Sequence, residues 1–128
     1  MRRYALGALA GVVALVAALL VLWPRDVEAR PQVAESGRFR FELTPASTKS
    51  GSTTLDLRIT DRAGNAAGGD VTVEPAMPLM GHALAPITAA PAEPGHYRVG
   101  DVGLFMAGQW EITVSLGTER VVIPLLLT

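Results

Sequence analysis

The sequence predicts an all-β, immunoglobulin-like antiparallel β-sandwich preceded by one N-terminal transmembrane helix, and three observations lead there. An uncharged apolar run occupies the N-terminus. Beyond residue 36, apolar residues recur at every second position in short segments. Glycine- and proline-rich turns separate those segments, and no helical periodicity follows residue 23. Setting the apolar block aside leaves about 100 of the 128 residues, enough for one modest core and too few for a second domain.

The N-terminal element reads MRRYALGALAGVVALVAALLVLWPR: Arg2 and Arg3, an uncharged run from Tyr4 to Trp23, then Pro24 and Arg25. The run of about 19 residues is long enough to cross a bilayer as a helix and longer than the 7 to 15 of a cleaved signal. Residues 1–23 therefore read as an uncleaved single-pass anchor, with cleavage after the small-residue-like Val27-Glu28-Ala29 as the alternative. The arginines hold the N-terminus in the cytoplasm and Trp23 marks the far interface, which puts residues 24–128 outside. Residues 24–36, PRDVEARPQVAES, are polar, include Pro24 and Pro31, lack periodicity, and read as a tether.

The domain occupies residues 37–128. Phe39, Phe41 and Leu43 alternate with Arg38, Arg40 and Glu42 in a half-buried strand that Pro45 ends. After the turn STKSGS, Leu55, Leu57 and Ile59 alternate with Asp56, Arg58 and Thr60, and the two strands should pair antiparallel. Residues 61–70, DRAGNAAGGD, form a loop. Val71 and Val73 belong to a strand that Pro75 is expected to stop. Residues 83–95 carry three prolines and read as an extended crossover with a short strand near Ile87. Pro94-Gly95 turns into HYRV, where Tyr97 points inward and His96 outward. Leu104, Met106, Gly108, Trp110, Ile112, Val114 and Leu116, at every second position, carry the strongest strand signal. Past Gly117-Thr118, a last strand over Glu119–Thr128 is apolar on both faces, and Pro124 marks it as an edge.

Composition narrows the function classes. The formal charge of −1 becomes −3 once Arg2 and Arg3 are set aside, and both signs are scattered, so nothing attracts nucleic acid. There is no cysteine, hence no disulfide and no thiolate ligand. Two histidines in glycine-flanked positions, with no cysteine and no lysine-bearing phosphate loop, give catalysis little support. The chain reads as a binding module, not an enzyme, with no small-molecule substrate evident.

The chemistry concentrates in one region. Every methionine but the first, Met77, Met80 and Met106, and both histidines, His82 and His96, lie between residues 77 and 106. Thioethers and imidazole select soft ions, above all Cu(I), and a thioether needs no deprotonation to bind. Pro78 stiffens the chain between Met77 and Met80, and Gly81 lets His82 approach the same point. The metal candidates are Met77, Met80, His82 and Met106; His96 faces the wrong way. The competing reading is packing, since methionine fills irregular gaps and Met106 falls in register with Leu104 and Trp110.

The ordered series Val71-x-Val73, Met77-Pro78-x-Met80-Gly81-His82, Gly95-x-Tyr97-x-Val99 and Leu104-x-Met106-x-Gly108-x-Trp110-x-Ile112 resembles the FixH/YtkA-like family of extracytoplasmic domains over residues 37–117. The resemblance implies a β-sandwich on the outer side of the bacterial inner membrane, linked with metal handling or haem-copper oxidase assembly. It also implies a separate partner, a membrane-bound copper transporter or an oxidase-assembly protein. Two functions follow as expectations: a membrane-anchored module that binds or transfers Cu(I), or a metal-free interaction domain that helps assemble a membrane complex.

Overall fold

Period-two alternation builds the domain: the inward apolar series become strands, and the strands form two antiparallel sheets packed face to face. A computed structural model describes residues 2–22 and 30–128. Trp23 and tether residues 24–29, which include the Val27-Glu28-Ala29 site, lie outside the described residues. The elements are α1 (Arg2–Leu22), β1 (Gln32–Glu35), β2 (Phe39–Pro45), β3 (Gly51–Asp61) and β4 (Val71–Met77). A 3-10 turn, Pro78–Met80, follows. Then come β5 (His82–Ala83), β6 (Ile87–Thr88), β7 (Ala90–Pro91), β8 (His96–Leu104), β9 (Gly108–Leu116) and β10 (Glu119–Leu127).

One sheet has the order β1-β2-β3-β8-β7 and the other β10-β9-β4-β5, with β6 also paired to β4. With the short edge pieces set aside, β2-β3-β8-β7 facing β10-β9-β4 follows the strand order of an immunoglobulin constant-type sandwich. The expected pairing of β2 with β3 sets Phe41 opposite Ile59 and Leu43 opposite Leu57. These four side chains meet Val73, Trp110, Ile112, Val114 and Ile123 of the facing sheet in the core. Tyr97 is buried and its hydroxyl donates to the Ala67 carbonyl at 3.0 Å, while His96 is exposed on the other face. β10 pairs with β9 alone and is the edge that Pro124 predicts.

Four features depart from the sequence reading. β1 forms inside the segment read as tether, pairing Gln32–Glu35 with Arg40–Leu43. Four residues with two polar ends are too short to display alternation, and they join the sheet through backbone hydrogen bonds. β4 does not stop at Pro75 but continues to Met77. The Pro75 carbonyl accepts from Leu84 N–H at 2.9 Å, and a strand residue's N–H and C=O point to the same side. The donor that proline lacks would therefore have faced the β5 side, and the pairing with β9 loses nothing.

The series from Leu104 to Leu116 is not one strand. Leu104 ends β8, residues 105–107 cross to the opposite sheet, and β9 begins at Gly108, whose φ of +128° suits glycine. Alternation continues across the crossing, so its sequence pattern does not register the change of sheet. Within β8, one residue of β3 (Thr54) opposes two of β8 (Gly100 and Asp101) between the pairs Thr53–Val102 and Leu55–Val99, a bulge with Asp101 at φ 52°. The bulge keeps both Val99 and Val102 inward.

α1 is a helix, as the apolar run predicts. Among the described residues no helix is long and apolar enough to cross a membrane. Residues 7–21 of α1 are all exposed.

Candidate metal centre

The methionine region closes one end of the sandwich. Met77, the last residue of β4, is only 4% exposed and points inward. Its terminal methyl lies 3.1 Å from where a Cβ on Gly108 would stand, so the bare glycine backbone at the head of β9 leaves room for the thioether. The Pro78–Met80 turn then reverses the chain. Gly81 closes it in the left-handed conformation (φ 61°), its N–H donating to the Pro78 carbonyl at 3.2 Å. That reversal pairs Met77 with His82 and Ala76 with Ala83.

Residues opposed on antiparallel strands project to the same face, which sets His82 beside Met77. The His82 ring stands edge-on to Trp110, with centroids 5.9 Å apart. Trp110 is fully buried, and its Nε1–H donates to the Met106 carbonyl at 2.9 Å. One indole thus touches the imidazole and holds the crossover that carries the third methionine. Met106 is half-buried in that crossover, not part of the inward row of β9, and Met80 on the 3-10 turn is 65% exposed.

Met77, Met80 and Met106 line one open groove of about 250 Å³, together with Leu79, Ala107 and Gly108. His82 does not line it and is joined to the group through its pairing with Met77 and its contact with Trp110. His96 lies at the opposite end of the sandwich, paired with Arg58. Among the described residues no three His, Cys, Asp or Glu side chains gather in a way that could hold a metal ion. A metal here would therefore be bound by neutral thioethers and one imidazole, a donor set for a soft ion such as Cu(I). The mouth is open and Met80 is largely in solvent, an arrangement suited to exchange with a partner rather than to permanent enclosure.

The sequence reading named all four candidates but not Trp110 as their organiser or Gly108 as the space for Met77. Glycine at the head of the most apolar strand was the available signal, because a central strand admits one only where something approaches closely.

The chain matches the YtkA-like family over residues 32–115, from β1 to the penultimate residue of β9. No curated protein and no solved structure matches it.

Proposed function

We propose, from the premise that this chain belongs to the YtkA-like family, that it is a membrane-anchored extracytoplasmic module that binds Cu(I) and passes it on, and not an enzyme. Its setting is metal homeostasis or haem-copper oxidase assembly at the bacterial inner membrane, and its partner a membrane-bound copper transporter or oxidase-assembly protein. The observation behind the reading is the convergence on one groove of Met77 and Met80, from the end of β4 and the turn that follows it, with Met106 from the 105–107 crossover, and His82 beside Met77. Packing alone does not call for that: Met80 is mostly exposed and fills no core gap. An exposed thioether at the rim, a half-buried one in the crossover and a buried one at the strand end form a graded path along which ligands can be exchanged one at a time.

α1 supplies the anchor in this reading. Apolar residues surround the helix, residues 7–21 are all exposed, and such a helix needs apolar surroundings. Arg2 and Arg3 keep its start in the cytoplasm, and the domain stands on the periplasmic side.

The test is a Cu(I) competition titration of the full chain in detergent against a chromogenic chelator, repeated with Met77→Leu, Met80→Leu and His82→Ala. Leucine nearly conserves volume and apolarity, so a fall in affinity reports lost ligation. The triple variant should bind at least ~10-fold more weakly, about 1.4 kcal/mol. Equal affinities would end the copper reading.

A second reading, a metal-free domain that assists assembly of a membrane complex, is favoured by the outer face of β10. There Val122 and Leu126 are exposed apolar residues on an edge strand. It predicts that Leu126→Glu abolishes co-purification with the complex while the methionine variants do not.

A further inference from the structure

We infer that the end of the sandwich carrying Leu79, Met80 and Phe105 rests in the lipid headgroup layer of the membrane that holds α1, so that the methionine groove opens at the bilayer surface. The inference rests on the anchor reading above.

Strand directions define the two ends. β1 starts at Gln32 opposite Leu43, β3 starts at Gly51 opposite Leu104, and β10 finishes at Leu127 opposite Gly108. The tether, the 46–50 loop, the Pro78–Met80 turn and the 105–107 crossover therefore share one end. The loops at 36–38, 62–70, 92–95 and 117–118 lie at the other.

Only residues 23–31 separate α1 from β1. A segment of that length, fully extended, spans at most about 35 Å. The longest strand, β3 with 11 residues, is itself about 36 Å long. The near end can meet the membrane at any separation up to that limit, whereas the far end could do so only at the limit itself.

The surface of the near end suits that position. Leu79 and Phe105 are 94% and 72% exposed, the most exposed large apolar side chains of the domain, and Met80 adjoins them. The Phe105 ring lies against the backbone of Gly103, where a Cβ would come within 2.7 Å of it, so the ring is held in place while facing outward. The 46–50 loop, the Pro78–Met80 turn and the 105–107 crossover contain Lys49 and no acidic residue, and Arg30 precedes β1, while the tether sequence adds Arg25, Asp26 and Glu28. The far-end loops mix Arg38 and Arg62 with Asp70 and Glu93 and present no exposed large apolar residue. Apolar tips flanked by basic side chains are the chemistry that enters an anionic lipid interface.

The absence of native cysteine makes the test direct. The full chain is reconstituted into vesicles of phosphatidylcholine and phosphatidylglycerol with one nitroxide at a time. Ala107→Cys and Ser50→Cys report the near end, Ala63→Cys and Thr118→Cys the far end, all at exposed positions. Collisions with oxygen, which concentrates in lipid, are compared with collisions with a water-soluble nickel chelate. The oxygen-to-nickel ratio should be several-fold higher at the near-end labels, and Leu79→Ser combined with Phe105→Ser should return it to far-end values. Near-end labels as open to nickel as far-end ones, on a chain that floats with the vesicles, overturn this inference alone. A chain that does not float overturns the anchor reading and this inference with it. Shielding in native membranes but not in pure lipid overturns it in favour of a protein partner.

Discussion

Thr53 lies buried in β3, and its hydroxyl has no hydrogen-bond partner among the described residues. An unsatisfied buried hydroxyl costs about 1–3 kcal/mol, so Thr53→Val, nearly the same shape, should stabilise the domain by ~1 kcal/mol in urea unfolding. Gly95 behaves in the opposite sense. It has φ +76°, and a Cβ there would stand 2.9 Å from the Ala66 Cβ and 3.0 Å from the Ile59 carbonyl oxygen, to which no residue can yield cheaply. Gly95→Ala should cost about 2 kcal/mol or more by the same measurement. Substitution can separate the packing role of Met77 from the ligand role proposed for it. Met77→Leu should cost less than ~1.5 kcal/mol of stability and still weaken Cu(I) binding, whereas Met77→Ala should cost about 2–5 kcal/mol because it empties a buried position. At this scale the sequence named the candidate donors of the proposed site, since in a chain without cysteine the soft donors are methionine and histidine. Trp110 was legible as core but not as the donor that fixes the Met106 crossover, because that bond, four residues back along the chain, forms only where the chain turns between the sheets, and the period-two pattern does not register that turn.

Among elements, β10 is the clearest case of a strand whose two faces differ in meaning although both are apolar. Ile123 is fully buried against β9 and the facing sheet, and Ile123→Ala should cost about 2–5 kcal/mol. Leu126 is exposed, and Leu126→Ala should stay within ~0.5 kcal/mol, which chemical denaturation of the pair will show. Arg120 on β10 reaches across β9 to Glu74 on β4 at 2.8 Å, but both side chains are solvated. A double-mutant cycle should find less than ~1 kcal/mol of coupling. The sequence located β2, β3, β9 and β10 because each repeats its period several times. It missed β1 because four residues cannot show a period, and it ended β4 too early because the harm done by a proline depends on which neighbour its missing N–H would have faced.

For the whole molecule, the described part of α1 contributes no buried surface to the domain: residues 7–21 are all exposed and the core runs from Phe41 to Leu127. A chain beginning at Arg30 should therefore melt within ~2 °C of the full chain by circular dichroism while losing its affinity for vesicles. Loss of cooperative melting in the shorter chain would mean that the helix takes part in the fold.

Composition and periodicity alone determined the sandwich class, the inward residues of the long strands, the apolar N-terminal helix, the confinement of soft donors to residues 77–106 and the outward turn of His96. These are local properties, carried by side-chain type and a repeat of two. Tertiary structure decided the rest: that residues 104–116 divide between two sheets, that three methionines share a groove while His82 stands behind Met77, and that the groove lies at the end where the tether arrives. Each of these depends on which strands become neighbours, and that is settled by long-range packing between sheets, for which a period-two pattern holds no information.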